Sequence, residues 1–486
     1  MKVFLANGPW KKGDRLGVRA GARWATTKAA GKGSKIPPYV PFPFYLAYAA
    51  AAVEEAGFNT LLIDAIAEAM DDEAFMKAIN NFEPDLVMLE TSTPSIKVDL
   101  ALAEQIRESL PEARIGLSGP HVTALPVETL QGAAHIDFIL LGEYEYILRD
   151  LASALEKGQD LANVSGMVWR DKDGSIRTNQ PRPLVRNIDQ IPWPARHFLP
   201  MRNYRDSFAG LPMPGLTMWT SRGCPFQCIF CVWPNVMYGS QAYRVRNPID
   251  VVDEMQQMSE KYGLRSVSFD DDTFDIGKPR ILKLSSEIQT RGIKLPWTAM
   301  ARADTIDREM LEAMAASGMY AIKYGVESGV QELVDAANKR LDLEKVKETV
   351  RITKELGIKV HLTFTLGLPG ETQDTIQRTI DWAIAQEPES AQFSISTPYP
   401  GTPYYHLALQ QGMLHFKEWA DFDGENIAVL GTESLTPQQL SSGLRHAVRS
   451  WRWHRLRKTF WQRPGHYLRE GLRNPWRTIE VLRGNP

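Results

Sequence analysis

The sequence predicts an α/β protein built from two parallel-sheet units and a helical tail. Three observations predict it. Short apolar runs alternate with amphipathic segments from residue 1 to about 150, and again from about 216 to 410. A proline-rich stretch separates the two series. From about 440 the chain turns basic and aromatic. The 486 residues leave room for two or three domains. The expected limits are 1–165 for a doubly wound, Rossmann-like domain, 166–205 for a linker, 206–410 for a partial barrel, and 411–486 for a helical extension.

In the first unit, strands are expected at 3–6, 60–63, 86–89, 114–117 and 138–141, and helices at 44–56, 72–80 and 98–110. Sheets of this kind bind ligands beyond the carboxyl ends of their strands. The residues there are small and polar: Thr91, Ser92 and Thr93 after the third strand, Ser118, Gly119 and His121 after the fourth, and Gly142 and Glu143 after the fifth. The loop after the first strand is long and holds Trp10, Arg19, Arg23 and Trp24, placed either to cover a ligand or to pack the loop down. In the linker, 168–176 reads as a hairpin with a glycine turn, and Ile191-Pro192-Trp193-Pro194 as a stiff spacer.

In the second unit, strands are expected at 216–220, 266–269, 297–301, 321–324, 359–365 and 391–395. Six βα units make a partial TIM-type barrel, (β/α)6, open on one side. Its active face lies at the carboxyl ends of the strands, and there the chemistry-bearing motifs fall.

The most informative of these is Cys224-Pro225-Phe226-Gln227-Cys228-Ile229-Phe230-Cys231, which holds all three cysteines of the chain. A disulfide would leave an odd thiol. A structural zinc wants four ligands, and the nearest histidine in sequence, His197, sits far off in the linker. Three thiolates on one tight loop suit three irons of a [4Fe–4S] cluster, leaving the fourth iron open to a small molecule.

At this motif the chain resembles the radical S-adenosylmethionine (SAM) superfamily. The resemblance implies that the open iron chelates SAM and that electron transfer cleaves SAM to a 5′-deoxyadenosyl radical. It also gives the later motifs roles. A carboxylate from Asp270, Asp271 or Asp272 would take the SAM ammonium, Arg302 its carboxylate and Glu327 the ribose hydroxyls. The turn with Gly367 and Pro369 would let the backbone approach the adenine. With the polar loops of the first unit, the chain resembles cobalamin-dependent radical SAM enzymes over about 400 residues. In wording it is similar to hopanoid-lipid radical SAM proteins and anaerobic magnesium-protoporphyrin ester cyclases. The alternative for the first unit is a generic flavodoxin-like sheet whose Ser and Thr only cap helices. No histidine precedes His121, so any cobalt bound here lacks a histidine from the first loop.

The resemblance implies C-methylation of an unactivated carbon, with methylcobalamin as donor. The alternatives are radical rearrangement or cyclisation of a lipid-linked sugar or tetrapyrrole, and, in another class, a corrinoid-sensing binding protein. An electron donor of flavodoxin or ferredoxin type is the implied partner. A net charge of −2 and the absence of a reader motif argue against nucleic acid. The first residues show no sustained apolar core, so a cytoplasmic protein is expected. Residues 445–483 carry eleven Lys/Arg against two Glu, with Trp451, Trp453, Trp461 and Trp476 among them. Either this tail meets an anionic membrane or lipid, or it packs over the open barrel with its arginines in water.

Overall fold

A computed structural model describes residues 1–13, 15–19, 25–28, 36–205, 208, 210–424 and 427–462, without the side chains of the last four. Strand Lys2–Asn7 is flanked by Asn59–Asp64 on one side and by Leu86–Glu90, Arg114–Ser118 and Phe138–Leu140 on the other, all parallel. Strand alternation feeds two layers. Val3 and Leu5 enter one core with the helix Phe44–Glu55, while Phe4 and Ala6 enter the opposite one with Phe75 and Ile79 of helix Asp72–Phe82. The strand order reverses between Lys2–Asn7 and Leu86–Glu90, and sheets of this kind bind ligands beyond the carboxyl ends at such a point.

Two expectations change. The hairpin assigned to the linker belongs to this sheet. Met167–Arg170 pairs antiparallel with Phe138–Leu140, and Ile176–Thr178 pairs outside it. Met167 and Val168 are fully buried, each on a different face, so the strand has a core on both sides and cannot lie in a spacer. The connection between the two sheets therefore begins after 178. The long first loop also has structure of its own, an antiparallel meander of Lys11–Lys12, Arg15–Arg19 and Ala25–Lys28.

The second sheet holds six parallel strands in chain order: Leu216–Met218, Val267–Phe269, Trp297–Ala301, Met319–Glu327, Lys359–Leu366 and Ser390–Ile395. Its first and last strands pair with no one another among the described residues, so the barrel is open. Helix Pro437–Gln462 packs on Gln373–Ala385 and along the last strand. Leu440, Ala447 and Trp451 are buried there, while Arg452 and Trp453 face water. For this part of the tail, the packing reading of its sequence holds. Residues 463–483, with Trp476, and the side chain of Trp461 lie outside the described residues.

One core runs through both sheets. Phe44 stacks on Trp219 at 4.2 Å between ring centroids, joining the first helix of one unit to the loop that opens the other.

Candidate active site

The cysteine loop follows the first barrel strand and is fixed from behind. Asp271 is fully buried. Its Oδ1 accepts the backbone N–H of Thr220 at 2.6 Å and of Ser221 at 2.8 Å, and its Oδ2 accepts the Thr220 hydroxyl at 2.6 Å. Asp272 accepts Gly223 N–H at 3.0 Å and the Tyr238 hydroxyl at 2.8 Å. Gly223 has φ +92°, and a Cβ there would lie 1.9 Å from the Ala242 carbonyl oxygen, so only glycine admits this close approach. The three consecutive aspartates thus divide. Asp271 is spent on the loop and is corrected from SAM ligand to clamp, whereas Asp270 and Asp272 line a cavity of about 260 Å³.

Cys224, Cys228 and Cys231 all line that cavity. Cys224 Sγ lies 3.2 Å from the Thr273 hydroxyl. Burial pushes all three thiols up, and at Cys231 the neighbouring Cys228 and Cys224 add to it. At Cys228, Lys339 and Arg302 pull the other way. Buried thiolates that disfavour one another are a poor resting state, and iron relieves it. Among the described residues no three His, Cys, Asp or Glu converge on a point that suits a single metal ion. A zinc would need sulfurs all ~2.3 Å from one centre. The ligands of a cubane stand on three different irons and need not share one centre.

Arg302 and Glu327 also line the cavity, but each already has partners. Arg302 Nε and Nη2 donate to Asp304 at 3.0 and 2.8 Å, and its guanidinium lies 3.6 Å from the Phe226 ring centroid. Glu327 accepts from Lys339 Nζ and from the Thr365 hydroxyl, each at 2.8 Å. Gly367 and Pro369 are not in the lining. Gly367 has φ +90°, receives the Tyr404 hydroxyl on its carbonyl at 2.5 Å, and faces Leu440 of the tail helix. This turn, expected at the adenine, packs the tail helix and the cysteine loop, where Leu368 joins Phe230.

Residues missed by the sequence reading complete the cavity, among them Lys339, Thr363, Thr365, Gln392 and Ser394. For Thr363 and Thr365 a signal was present. His361, Thr363 and Thr365 alternate with Leu362, Phe364 and Leu366, so one face of a buried barrel strand is polar. Filled barrels carry bulky apolar side chains there.

At the first sheet the predicted ligands have found one another. The Thr91 hydroxyl donates to Asp99 at 2.6 Å, Ser92 pairs with Ser95 at 2.7 Å, and Thr93 lies 3.3 Å from His121 Nδ1. Arg19 is buried, ion-paired with Asp99, and donates to Ser95, Asn7 and Gly8, with its guanidinium over Trp10. Arg19 and Trp10 therefore pack the loop down. Arg23 and Trp24 lie outside the described residues. Ser118 is buried, and Gly119, at φ +116°, sits so close to Thr91 that a Cβ would be 2.2 Å from its carbonyl oxygen. Burial pushes His121 down to about 4, so it is neutral, edge-on to Trp419 at 5.0 Å between centroids.

Glu143 is corrected outright. It accepts Arg244 at 2.7 and 2.8 Å and Arg222 at 3.3 Å, while Glu145 accepts Arg222 at 2.6 Å. All four side chains are buried between the two sheets. Burial works against the Glu143 charge, but Arg222 and Arg244 outweigh it and hold the carboxyl below its usual range. Glu143 is thus a joint between the units. With Gly142 it borders a cleft of about 230 Å³ at that joint.

Residues 219–383 match the radical SAM superfamily, and residues 37–152 match the B12 binding domain. The chain is 32% identical over 406 residues to the uncharacterized methyltransferase PH0819 of Pyrococcus horikoshii, covering 83% of this chain and 86% of that one. It is 28% identical over 421 residues to the anaerobic magnesium-protoporphyrin IX monomethyl ester cyclase of Cereibacter sphaeroides, covering 84% of this chain and 66% of that protein. In fold it is similar to the radical SAM methyltransferase TsrM of Kitasatospora setae, solved with cobalamin and a [4Fe–4S] cluster. That match has a TM-score of 0.65 and 21% identity over 84% of this chain and 75% of that one. The chain belongs to the cobalamin-dependent radical SAM methyltransferase family. It is an enzyme whose cofactors are a [4Fe–4S] cluster, SAM and cobalamin.

Proposed function

We propose that this enzyme methylates an unactivated carbon of a small molecule. The observation that carries the reading is the convergence of three thiols, paired carboxylates and buried cations on one cavity at the barrel mouth. When bound, the cofactors supply radical cleavage of SAM and donation of a methyl group. The chain supplies position. Cys224, Cys228 and Cys231 hold three irons. Asp270 and Asp272 offer a carboxylate to the SAM ammonium, and Arg302 and Glu327 border the space its carboxylate and ribose need. Thr91, Ser92, Thr93, Ser118, Gly119, His121 and Gly142 follow the strands at whose carboxyl ends cobalamin would lie. The first loop holds no histidine that could ligate a bound cobalt, so the Co(II) resonance of the cobalamin-loaded chain should lack nitrogen splitting. The domain limits that go with this reading are 1–178 for the cobalamin unit and about 206–410 for the barrel.

The cyclase similarity supports a second reading, radical cyclisation or rearrangement without methyl transfer. Mass spectrometry of the products separates the two. S-adenosylhomocysteine together with 5′-deoxyadenosine is the expected result, and deoxyadenosine alone gives the second reading. A flavodoxin or ferredoxin type donor is the proposed electron source. No helix among the described residues is long and apolar enough to cross a membrane. Peripheral contact through the basic tail is tested by co-sedimentation with anionic vesicles at low and high salt.

A further inference from the structure

Six non-glycine residues among those described adopt a left-handed backbone, and three of them meet at one place. Glu327 has φ +73°, Asn338 +51° and Arg340 +52°. Asparagine tolerates this region; glutamate and arginine adopt it only where the surroundings impose it. Glu327 sits at a register shift in its strand, between Gly325 and Glu327. Asn338 and Arg340 bracket Lys339. The turn they form is stitched to the cysteine loop on both sides of Cys228. Asn338 Nδ2 donates to the Gln227 carbonyl at 2.9 Å, and Ile229 N–H donates to the Ala337 carbonyl at 3.1 Å. Arg302 Nη2 donates to the Lys339 carbonyl at 3.0 Å.

Strain of this kind persists where a side chain must be aimed. Here the flanking residues reach the surface, while Lys339 is 6% exposed and lines the cavity with the three cysteines. Its Nζ lies 2.8 Å from Glu327 Oε1. A Cβ at Gly325 would sit 2.9 Å from Glu327 Oε1 and 3.2 Å from Lys339 Nζ, so a glycine in the strand leaves room for the pair. A buried Lys–Glu pair is a weak stabiliser because desolvation offsets the attraction. Stability alone therefore does not account for holding it with strained backbone.

We propose that Lys339 is an electrostatic residue of the iron–sulfur site, its ammonium easing electron entry into the cluster while Glu327 counterweights it. The inference rests on the reading that the three cysteines hold the cluster. One electron from a low-potential donor adds one negative charge to the cluster and its thiolates, with no bond made or broken. A fixed cation next to Cys228 favours that charge, since net charge around a cluster sets its potential. A fixed anion opposes it.

Potentiometric titration followed by electron paramagnetic resonance of the reduced cluster tests this, with titanium(III) citrate as reductant and no SAM present. Iron and sulfide content is measured first. A wild-type chain that takes up no cluster would overturn the underlying reading; a loaded chain isolates the present one. Lys339→Met should lower the reduced-to-oxidised ratio at a fixed potential about tenfold, or ~59 mV for one electron. Glu327→Gln should raise it, and Lys339→Arg should stay near wild type. Because Lys339→Met leaves Glu327 unpaired, the pair Glu327→Gln and Glu327→Gln/Lys339→Met isolates the lysine with no buried carboxylate left over. Loaded variants with unchanged midpoints, or with Lys339→Met and Glu327→Gln shifted in the same direction, would overturn the proposal.

Discussion

The two sheets end in loops of similar composition and put them to different uses. At the barrel, polar groups stand around a cavity: Asp270, Asp272, Glu327, Thr363 and Thr365 face a common space. At the first sheet, Thr91, Ser92, Ser95, Asp99 and Arg19 face one another, and their hydrogen bonds are made inside the protein. Polar residues after a strand signal a place where ligands bind, yet the same residues also satisfy a buried charge. The difference lies in the backbone beneath them. The barrel strands turn alternate side chains into an interior with no second layer, whereas the first sheet has a meander folded over its edge.

The contrast is broken first at the cysteines. Replacing Cys228 with Ala should abolish cluster loading and deoxyadenosine formation, read by iron content and mass spectrometry. Ser92→Ala, at the other edge, should leave both intact. Loss of the cluster in the second variant would mean that the two edges are not independent.

A smaller effect sharpens the joint between them. Arg222→Met leaves Glu143 and Glu145 buried with one cation fewer and should cost roughly 3–5 kcal/mol in denaturant unfolding. Glu145→Gln should cost less, because burial and Glu143 already push its carboxyl up despite Arg222.

Smaller again is a pH effect confined to the first edge. His121 titrates at about 4 folded and ~6.5 unfolded, so between those values the unfolded chain binds the extra proton. Its contribution is present above ~6.5 and is lost as pH falls toward 4. Between pH 7 and 5 that loss is about 2 kcal/mol. The stability gap between wild type and His121→Gln should move by that amount, with wild type losing the more. A gap independent of pH would show His121 to be solvated.

The smallest change is expected on the tail helix. Arg455 lies 3.7 Å from Glu389 with both side chains about a third to a half exposed, so Arg455→Glu should stay within about 1 kcal/mol.

Most strands could be read from the sequence because each is an uninterrupted apolar run with a helix on either side. The hairpin at Met167–Arg170 was misplaced because a glycine turn beside prolines looks like a spacer, although burial on both faces is what Met167, Val168 and Trp169 ask for. Asp270, Asp271 and Asp272 were indistinguishable in sequence, since only the loop's path decides which carboxylate turns back to Thr220. Lys339 had no sequence signal at all. Its position follows from the left-handed turns at Asn338 and Arg340, and only the asparagine is a residue that region suits. Arg222 could not be read from its neighbours, because its charge meets anions nearly eighty residues earlier.

That joint bears on how the enzyme can be rebuilt. Arg222 precedes the cysteine loop by two residues and finds its anions in the other unit, so the barrel is not a removable cassette. A barrel expressed alone would expose Arg222 and Arg244 without Glu143 and Glu145, along with the aromatic surface of Trp219 that Phe44 covers. A chimera that exchanges cobalamin units between relatives should therefore carry residues 142–145 and the helix Phe44–Glu55 with the barrel they were fitted to.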